Sequence, residues 1–397
     1  MSAQQTSNQG SVIEVFITFL KLGLTSFGGP VAHLGYFHRE LIERRQWLGE
    51  SQFGQLLAIC QFLPGPASSQ LGFALGLLRA GWLGALAAFV GFTLPSALLM
   101  IGFASILSWL SGPLAEAAID GLKPVACAVV ADAVWGMSKK LCPDRQRRGI
   151  ALLAICTLLL MDSVWAQLLV VVGGSLAGAL LCRISQEETS GHIRVAYGKR
   201  TGLLILFVFL VLLCGLALAP AEMFSVANAF FQAGALVFGG GHVVLPLLEN
   251  SVVANGWISN ESFLAGYGAA QAIPGPMFAF AAYLGALIPL AQAPWLGALV
   301  ALVCIFLPGF LLLVAVLPWW QSFYRNSAAL NAIAGLNAAV VGILGAALYD
   351  PVFTSGVASN VDLTIGIIGF GLLTLWQRSP LWVVIWCVAA KLLLVTI

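Results

Sequence analysis

The sequence predicts an all-α polytopic membrane protein with two homologous repeats in inverted orientation, joined by a linking helix. It would contain about 12–13 transmembrane segments, with helices broken at two Pro-Gly-Pro motifs. Two observations lead to this prediction. Of 397 residues, 60% are hydrophobic and 9% charged, and the mean hydropathy of +0.97 lies far outside the range of soluble domains. In addition, several motifs recur in the same order about 210 residues later, which indicates an internal duplication.

The apolar stretches provide candidate membrane spans, several of them near the 20 residues that a 30 Å hydrocarbon core requires. The short pair at 150–182 could form one helical hairpin. The leader Met1 to Gly10 is polar and has no basic residue, so we do not expect a cleavable signal peptide. The candidate spans are 13–32, 54–79, 81–108, 115–137, 150–162, 164–182, 201–219, 224–247, 262–288, 295–318, 327–348, 361–376 and 380–397.

The duplication divides the chain into matching halves. Gln61 to Pro66 (QFLPGP) recurs as Gln271 to Pro276 (QAIPGP), and Trp82 to Leu86 recurs unchanged from Trp295. The motif Phe27-Gly28-Gly29-Pro30 matches Phe238-Gly239-Gly240-Gly241. We therefore predict an N-terminal repeat at 11–183, a loop and linking helix at 184–222, and a C-terminal repeat at 223–397.

Composition also excludes several kinds of site. The eight cysteines are scattered without a CxxC pair, and the four histidines form no HExxH motif, so we expect no disulfide framework, metal site or cofactor. There is no GxSxG or Walker-type loop, and the net charge is only +2. We therefore expect no ATP hydrolysis, no nucleic-acid partner and no enzyme activity; the lipid bilayer is the expected surrounding.

The basic residues indicate orientation, because loops rich in Lys and Arg stay in the cytoplasm. Thirteen crossings from an inside N-terminus put the later basic loops inside and leave the second half upside down relative to the first. The same count places segment 33–52 outside, although it carries Arg39, Arg44 and Arg45. Two explanations remain open: either 54–79 is a re-entrant hairpin, or these arginines serve an anion. We favour inverted halves.

The Pro-Gly-Pro motifs, Pro64-Gly65-Pro66 and Pro274-Gly275-Pro276, should each split a helix in mid-membrane. The half-helix after the first break would present free N–H groups from Ala67, Ser68 and Ser69, which suit an oxyanion. Met277, Phe278 and Ala279 occupy the second, so the serines would make the site asymmetric. The alternative is a hinge or packing kink. Gln61 and Gln271 would either line the site or satisfy a carbonyl of the broken helix.

Other candidate residues lie near these breaks. The glycine runs, Gly28-Gly29-Pro30 and Gly239-Gly240-Gly241, permit close approach of a ligand or of another helix. Lys21 carries a charge within the first span, where a lysine must snorkel or face a cavity. His242 could sense protons or be held by a hydrogen bond. The segment containing Arg39, Arg44 and Arg45 would be an interfacial helix or a vestibule that gathers anions.

Taken in order, these motifs resemble a known family. FGGP-x-x-H (27–33), E-R-x-x-W-L (43–48), Q-x-x-PGP (61–66), FGGG and the second PGP are similar to the long, two-domain chromate ion transporters. The resemblance implies an inner-membrane protein that exports chromate and confers chromate resistance, driven by the membrane potential, a proton gradient or both. It also implies two domains in opposite orientation, with Gly28, Gly29, Pro64, Gly65 and Pro66 shared by members with chromate activity. Sulfate, another tetrahedral dianion, is the rival substrate. A homodimer is one possible assembly.

Overall fold

The computed structural model describes residues 10–107, 112–161, 164–183, 195–218, 222–238, 241–288, 293–320 and 326–396. Within these ranges the chain forms helices and no strand. The first half contains α1 (Val12–Thr25), α2 (Gly29–Phe37), α3 (Glu50–Phe62), α4 (Ala67–Leu107), α5 (Pro113–Leu141), α6 (Arg145–Leu160) and α7 (Val164–Leu181). The linking helix is α8 (Lys199–Leu218). The second half contains α9 (Glu222–Leu236), α10 (Val244–Val252), α11 (Asn260–Ala270), α12 (Phe280–Leu287), α13 (Pro294–Val316), α14 (Ser327–Ala347), α15 (Asn360–Thr374) and α16 (Pro380–Thr396).

Several of these helices are membrane helices by length and composition. Among the described residues, four continuous helical stretches are long and apolar enough to cross a bilayer: Ala67–Leu107, Lys199–Leu218, Pro294–Trp319 and Ser327–Gly356. Shorter apolar helices accompany them. Many large apolar side chains on these helices are exposed, including Leu83, Leu98 and Phe207. Exposed apolar surface of this extent is what a lipid-facing protein requires, and the protein is therefore a multi-pass membrane protein.

The first apolar stretch does not continue as one helix. The prediction of a single span at 13–32 is wrong, because α1 ends at Thr25 and α2 begins at Gly29, with left-handed backbone at Gly28. After α2 the chain continues as a π-helix, His38–Arg44, and returns to the start of α1. There, Arg45 lies 3.8 Å from the Glu14 carboxylate. Segment 10–45 therefore leaves one face of the protein and comes back to it.

The second apolar stretch returns in the same way. α3 ends at Phe62 and α4 begins at Ala67, on the two sides of the first Pro-Gly-Pro. The guanidinium of Arg79 lies 5.3 Å from the ring centroid of Trp47, and the Gly10 N–H donates to the Arg79 carbonyl at 3.0 Å. The two ends of segment 47–79 thus meet. Of the two alternatives for 54–79, these contacts support the re-entrant hairpin and not the crossing.

A sharp bend divides α4 into two antiparallel arms. Ala80 and Gly81 have non-helical backbone, and the backbones of Gly76 and Gly84 approach each other across the bend. The first arm, 67–79, packs on α1 through Gly72 and Phe19. The second arm, 82–107, packs on α1 through Gly91 and Gly23 and continues far beyond it. Only this second arm is long enough to reach the opposite face.

The second half repeats this order of elements. α11 ends at Ala270 before the second Pro-Gly-Pro, and α12 then runs back along it, since the Tyr283 hydroxyl donates to the Ser262 carbonyl at 2.8 Å. The backbones of Gly285 and Gly297 meet where α12 turns into α13, as Gly76 and Gly84 do in α4. The sequence duplication therefore corresponds to a duplication of the helical arrangement.

Candidate functional site

The two Pro-Gly-Pro breaks meet the opposite half of the molecule through a reciprocal pair of backbone hydrogen bonds. The Gly65 N–H donates to the Val237 carbonyl at 2.7 Å, and the Gly275 N–H donates to the Ser26 carbonyl at 2.9 Å. Ser26 and Val237 are equivalent positions, each directly before its Phe-Gly-Gly motif. Each half thus supplies a carbonyl to the broken backbone of the other. Each Pro-Gly-Pro break therefore lies against the residue that precedes the Phe-Gly-Gly motif of the opposite half.

Glycine is required at both break positions for conformation and for space. Gly65 has φ +121° and Gly275 has φ +100°, a region that L-residues rarely adopt. A Cβ at Gly65 would lie 2.9 Å from the Gly309 Cα in the second half. A Cβ at Gly275 would lie 2.9 Å from the Ser96 hydroxyl in the first half. Any larger residue would therefore push the two halves apart.

Gln70 ties the first break to the second half. Its amide nitrogen donates to the Pro64 carbonyl and to the Gly309 carbonyl, both at 2.9 Å. The side chain is fully buried. The Pro64 carbonyl lies in the break and has no helical partner, so the amide supplies its missing donor and also links the break to Gly309 in α13.

Buried polar side chains of the first half form a continuous chain of contacts around the breaks. Nδ1 of His33 lies 3.4 Å from the Ser68 hydroxyl, and His33 also contacts the Ser26 backbone. The Ser26 carbonyl in turn accepts a hydrogen bond from the Gly275 N–H, and Gly275 packs on Ser96. The Ser96 hydroxyl donates to the Thr93 carbonyl at 2.9 Å. These residues come from α2, α4 and the Phe-Gly-Gly turn.

Five polar atoms of this region have no protein hydrogen-bond partner. They belong to side chains that are at most 3% exposed. A buried polar atom without a partner costs about 1–3 kcal/mol, so most native proteins avoid it. The five atoms are Ser26 Oγ, His33 Nε2, Ser69 Oγ, Gln70 Oε1 and Thr93 Oγ1.

The equivalent positions of the second half are apolar. The duplication matches Ser69 with Ala279 and Thr93 with Phe306, and all of these residues are buried. The rings of Phe278 and Phe306 lie 5.7 Å apart, and Phe306 lies 5.9 Å from Phe310. The predicted asymmetry is thus present and extends well beyond Ser68 and Ser69. The matched pairs are Ser26 with Val237, His33 with Val244, Ser68 with Phe278, Ser69 with Ala279, Gln70 with Phe280, and Thr93 with Phe306.

The two predicted glutamines differ in their surroundings. Gln271 donates to the Tyr267 carbonyl at 3.4 Å and lies 3.5 Å from the Met277 sulfur, so it satisfies the broken helix. Gln61 is half-buried, one turn before the first break. Of the two roles predicted for these glutamines, Gln271 takes the second, because its amide donates to a carbonyl of the broken helix.

The arginines of segment 33–52 are mostly paired. Arg45 donates to Glu40 at 2.8 Å, and Arg44 lies 3.1 Å from the same carboxylate. Burial alone would raise the pKa of Glu40, but the hydrogen bonds from Arg45 and Arg44 outweigh it and lower the pKa, so Glu40 stays ionised. Arg39 is exposed, and no ion pair to it is found among the described residues.

The remaining predicted residues take different positions. Nδ1 of His242 lies 2.7 Å from the Tyr267 hydroxyl, which is the hydrogen-bonded alternative. Gly28 and Gly29 form the turn between α1 and α2, and Pro30 lies in the first turn of α2. Gly241 begins a 3₁₀ turn, whereas Gly239 and Gly240 lie outside the described residues. On α5, the Lys123 ammonium and the Asp120 carboxylate form an ion pair with a separation of 2.8 Å.

The comparison with protein families covers both halves. The sequence model described as chromate transporter matches residues 13–179 and 224–392. The chain belongs to the chromate transporter family. The two matched segments follow the duplication that the motifs predict, and each contains one of the two Pro-Gly-Pro breaks.

Named relatives of this family member span nearly its whole length. It is 30% identical to a probable chromate transport protein of Synechococcus elongatus, over 94% of this chain and 93% of the relative. It is also 30% identical to the chromate transport protein of Pseudomonas aeruginosa, over 92% of this chain and 88% of the relative. For the chromate transport protein of Cupriavidus metallidurans the identity is 28%, over 84% and 81%. No solved structure matches the chain significantly.

Lys21 and its equivalent, Gln232, face different surroundings in this transporter-family protein. Lys21 is exposed on α1, and no ion pair to it is found in the described part of the chain. Gln232 lines a cavity of 160 Å³ between α7, α9, α10 and α14. Gln167, Asn250 and Ser251 supply the other polar side chains of this cavity. The charge at this position is therefore present only in the first half, and the equivalent residue of the second half lines a neutral polar cavity.

Sequence reasoning missed four of the central residues: Ser26, His33, Gln70 and Thr93. A single buried serine or threonine in an apolar helix carries no distinctive pattern. The available signal was the duplication itself, since each of these polar residues is matched by an apolar residue at the equivalent position of the other half.

Proposed function

We propose that the protein exports chromate from the cytoplasm and that the anion crosses where the two Pro-Gly-Pro breaks meet. Membership of the chromate transporter family supports the substrate. The observation that carries the location is the reciprocal pair of hydrogen bonds, Gly65 to Val237 and Gly275 to Ser26, which joins broken backbone of both halves. Broken backbone at membrane depth is tolerated where it is buried in protein or lines a pathway.

Inverted repeats are the topology that we propose for the two halves. In the first half, segments 10–45 and 47–79 each return to their starting face. The second arm of α4 crosses the membrane and α5 crosses back. The helices α6 and α7 form a hairpin, which ends on the face where it began whether or not its two helices span the membrane. The first half therefore ends on the face where it began, and α8 carries the chain across once. The second half then starts on the opposite face.

This topology removes the conflict over segment 33–52. The topology predicted from the sequence counts 13–32 and 54–79 as membrane crossings. If only one of these stretches returned to its starting face, the number of crossings before the second half would be even and the two halves would be parallel. Because both stretches return, the number of crossings before the second half stays odd and the halves stay inverted. Arg39, Arg44, Arg45 and Arg79 then share a face with the basic loops around Lys139, Arg147 and Lys199, as the positive-inside rule requires. We assign this face to the cytoplasm of a cell with an inner membrane.

The membrane potential is sufficient to drive such export. A potential that is negative inside favours outward movement of a dianion by about 4.6 kcal/mol per 100 mV. This corresponds to roughly a thousandfold concentration ratio without a coupled ion. Export against a gradient, and therefore chromate resistance, would follow from this mechanism.

Uptake of labelled chromate into everted membrane vesicles tests the proposal. An imposed potential, positive inside the vesicle, should drive uptake that collapses when the potential is dissipated. Uptake that persists in excess sulfate would support chromate as the substrate. If modest sulfate abolishes chromate uptake and labelled sulfate accumulates instead, the protein is a sulfate carrier. No potential-driven uptake of chromate would refute the proposed function.

A further inference from the structure

We infer that the anion is held by neutral hydroxyl donors of the first half alone, namely Ser26, Ser69 and Thr93, against an apolar wall from the second half. This inference rests on the proposed function and assigns its substrate site. Ser26 and Thr93 are not predicted as binding residues by any sequence motif. The third residue, Ser69, lies in the first turn after the break.

The unpartnered atoms carry the argument. The hydroxyls of Ser26, Ser69 and Thr93 are buried and lack protein partners. His33 donates to the Ser26 backbone and its Nδ1 lies 3.4 Å from the Ser68 hydroxyl, so His33 positions these residues and is not counted among the donors. Each of the three hydroxyls can donate a hydrogen bond. A fully deprotonated tetrahedral oxyanion has only acceptors, so it complements a set of donors.

The donors lie close to the broken backbone as well. Ser69 is in the first turn of the half-helix that begins at Ala67, where the N–H groups have no helical acceptor. The Ser26 carbonyl accepts from the Gly275 N–H of the second break, so the unpartnered Ser26 hydroxyl belongs to a residue in direct contact with that break. The positive end of the half-helix and the side-chain donors therefore favour the same kind of ligand.

The neutrality of these donors suits transport. A dianion bound by buried lysine or arginine would be held tightly, whereas a transported ion must bind well enough to enter and weakly enough to leave. Among the hydrogen bonds of the described residues, none joins a Lys or Arg side chain to Ser26, Ser69 or Thr93. Charged groups such as Arg39 lie at the face of the protein and can attract the anion without trapping it.

The second half supplies the opposing wall. Phe306 takes the place of Thr93 and packs against Phe278, Phe310 and Phe89, the last with a centroid distance of 5.1 Å. An aromatic cluster without donors cannot replace the hydration of an anion. The anion therefore contacts the first half, and the second half closes the pathway.

Two hydroxyl deletions with matched controls test this assignment. Thr93→Val and Ser69→Ala remove unpartnered hydroxyls. Thr18→Val is the control for the first, because Thr18 is equally buried but donates to the Glu14 carbonyl at 2.7 Å. Ser175→Ala is the control for the second, because Ser175 donates to the Val171 carbonyl. The readouts are the thermal shift of the purified protein with sodium chromate or sodium sulfate, and the KM for uptake in everted vesicles.

We expect each of the two deletions to raise the half-saturating chromate concentration about tenfold to a hundredfold. Without ligand, their Tm should equal or exceed that of the wild type, because an unsatisfied buried group is removed. The controls should bind chromate like the wild type. Equal responses of deletions and controls would overturn the inference.

The outcomes distinguish a wrong binding site from a wrong substrate. A wild type that responds to sulfate but not to chromate, with the sulfate response lost in Thr93→Val, supports the site and refutes chromate as the substrate. A wild type that transports chromate while both deletions keep its affinity refutes the site and leaves the proposed function standing. A wild type that responds to neither anion refutes the site.

Discussion

At the scale of single residues, Gln70 is the side chain that most directly joins the halves. Its amide donates to Pro64 in its own half and to Gly309 in the other. Gln70→Met keeps the volume but removes both hydrogen bonds and leaves the buried Pro64 carbonyl without its donor, which should cost about 1–3 kcal/mol. We expect the Tm to fall by several degrees. Gln377→Met, which removes one exposed bond to the Thr374 carbonyl, is the control and should leave the Tm unchanged. An unchanged Tm in Gln70→Met would refute the bridging role.

The arginines of segment 33–52 should divide into two functional classes. Arg45 is bound to Glu40 and lies near Glu14, so Arg45→Gln should lower the Tm. Arg39 is exposed and unpaired in the described structure, so Arg39→Gln should slow chromate uptake at low ionic strength and have little effect at high salt. Arg39→Lys keeps the charge and serves as the control. Equal rates for Arg39→Gln and the wild type at low salt would contradict an anion-attracting role.

Residue-level prediction from sequence succeeded where chemistry coincided with a motif. Pro64, Gly65 and their equivalents stand out because Pro and Gly break helices wherever they occur. Ser26 and Thr93 do not, because their importance comes from lacking a partner, which is a property of packing. Gln271 was ambiguous in sequence and proved to contact its own backbone and Met277.

At the scale of elements, the returning hairpins were the feature that hydropathy could not predict. The stretch 13–32 contains only two charged residues, Glu14 and Lys21, and a hydropathy profile cannot distinguish one span from two half-length arms that meet at Gly28. The left-handed backbone at Gly28 and Gly29 is what turns the chain. By contrast, the bend at Ala80 and Gly81 in α4 falls where the predicted spans 54–79 and 81–108 divide. Helix existence was predicted well, but chain direction was not.

The junction between the π-helix and α3 should depend on pH. His38 lies 3.1 Å from Glu43 and 2.9 Å from Glu50. The hydrogen bond with Glu50 raises the pKa of His38, partly opposed by burial, and both carboxylates add to the rise. Because the folded pKa is raised, the stabilisation is fully present below the unfolded value of about 6.5 and is lost as the pH rises through the folded pKa.

The corresponding measurement compares the Tm of the wild type and of His38→Gln across pH. The wild type should be the more stable protein at pH below about 6, and the difference should disappear in alkaline solution. The effect should be small and should weaken with salt, because the pair is exposed. A difference that grows as the pH rises would contradict this assignment.

At the scale of the whole molecule, the proposed inversion predicts opposite exposure of equivalent positions. Glu43, on the π-helix, and Asn255, after α10, are both exposed. We would place Glu43→Cys and Asn255→Cys separately in a background without the eight native cysteines. A membrane-impermeant maleimide should label Asn255→Cys in intact cells and Glu43→Cys only in everted vesicles. Labelling of both positions from the same side would rule out inverted halves.

Gly275→Ala tests whether chromate crosses where the two breaks meet, and the quantity to measure is the rate of potential-driven chromate uptake in everted vesicles. The added Cβ would strain the backbone and collide with Ser96 of the other half. Gly136→Ala, at an open position on α5, is the control. We predict at least a tenfold loss of uptake for Gly275→Ala, corresponding to about 1.4 kcal/mol or more, and wild-type uptake for the control. Wild-type uptake by a correctly inserted Gly275→Ala protein would contradict the account.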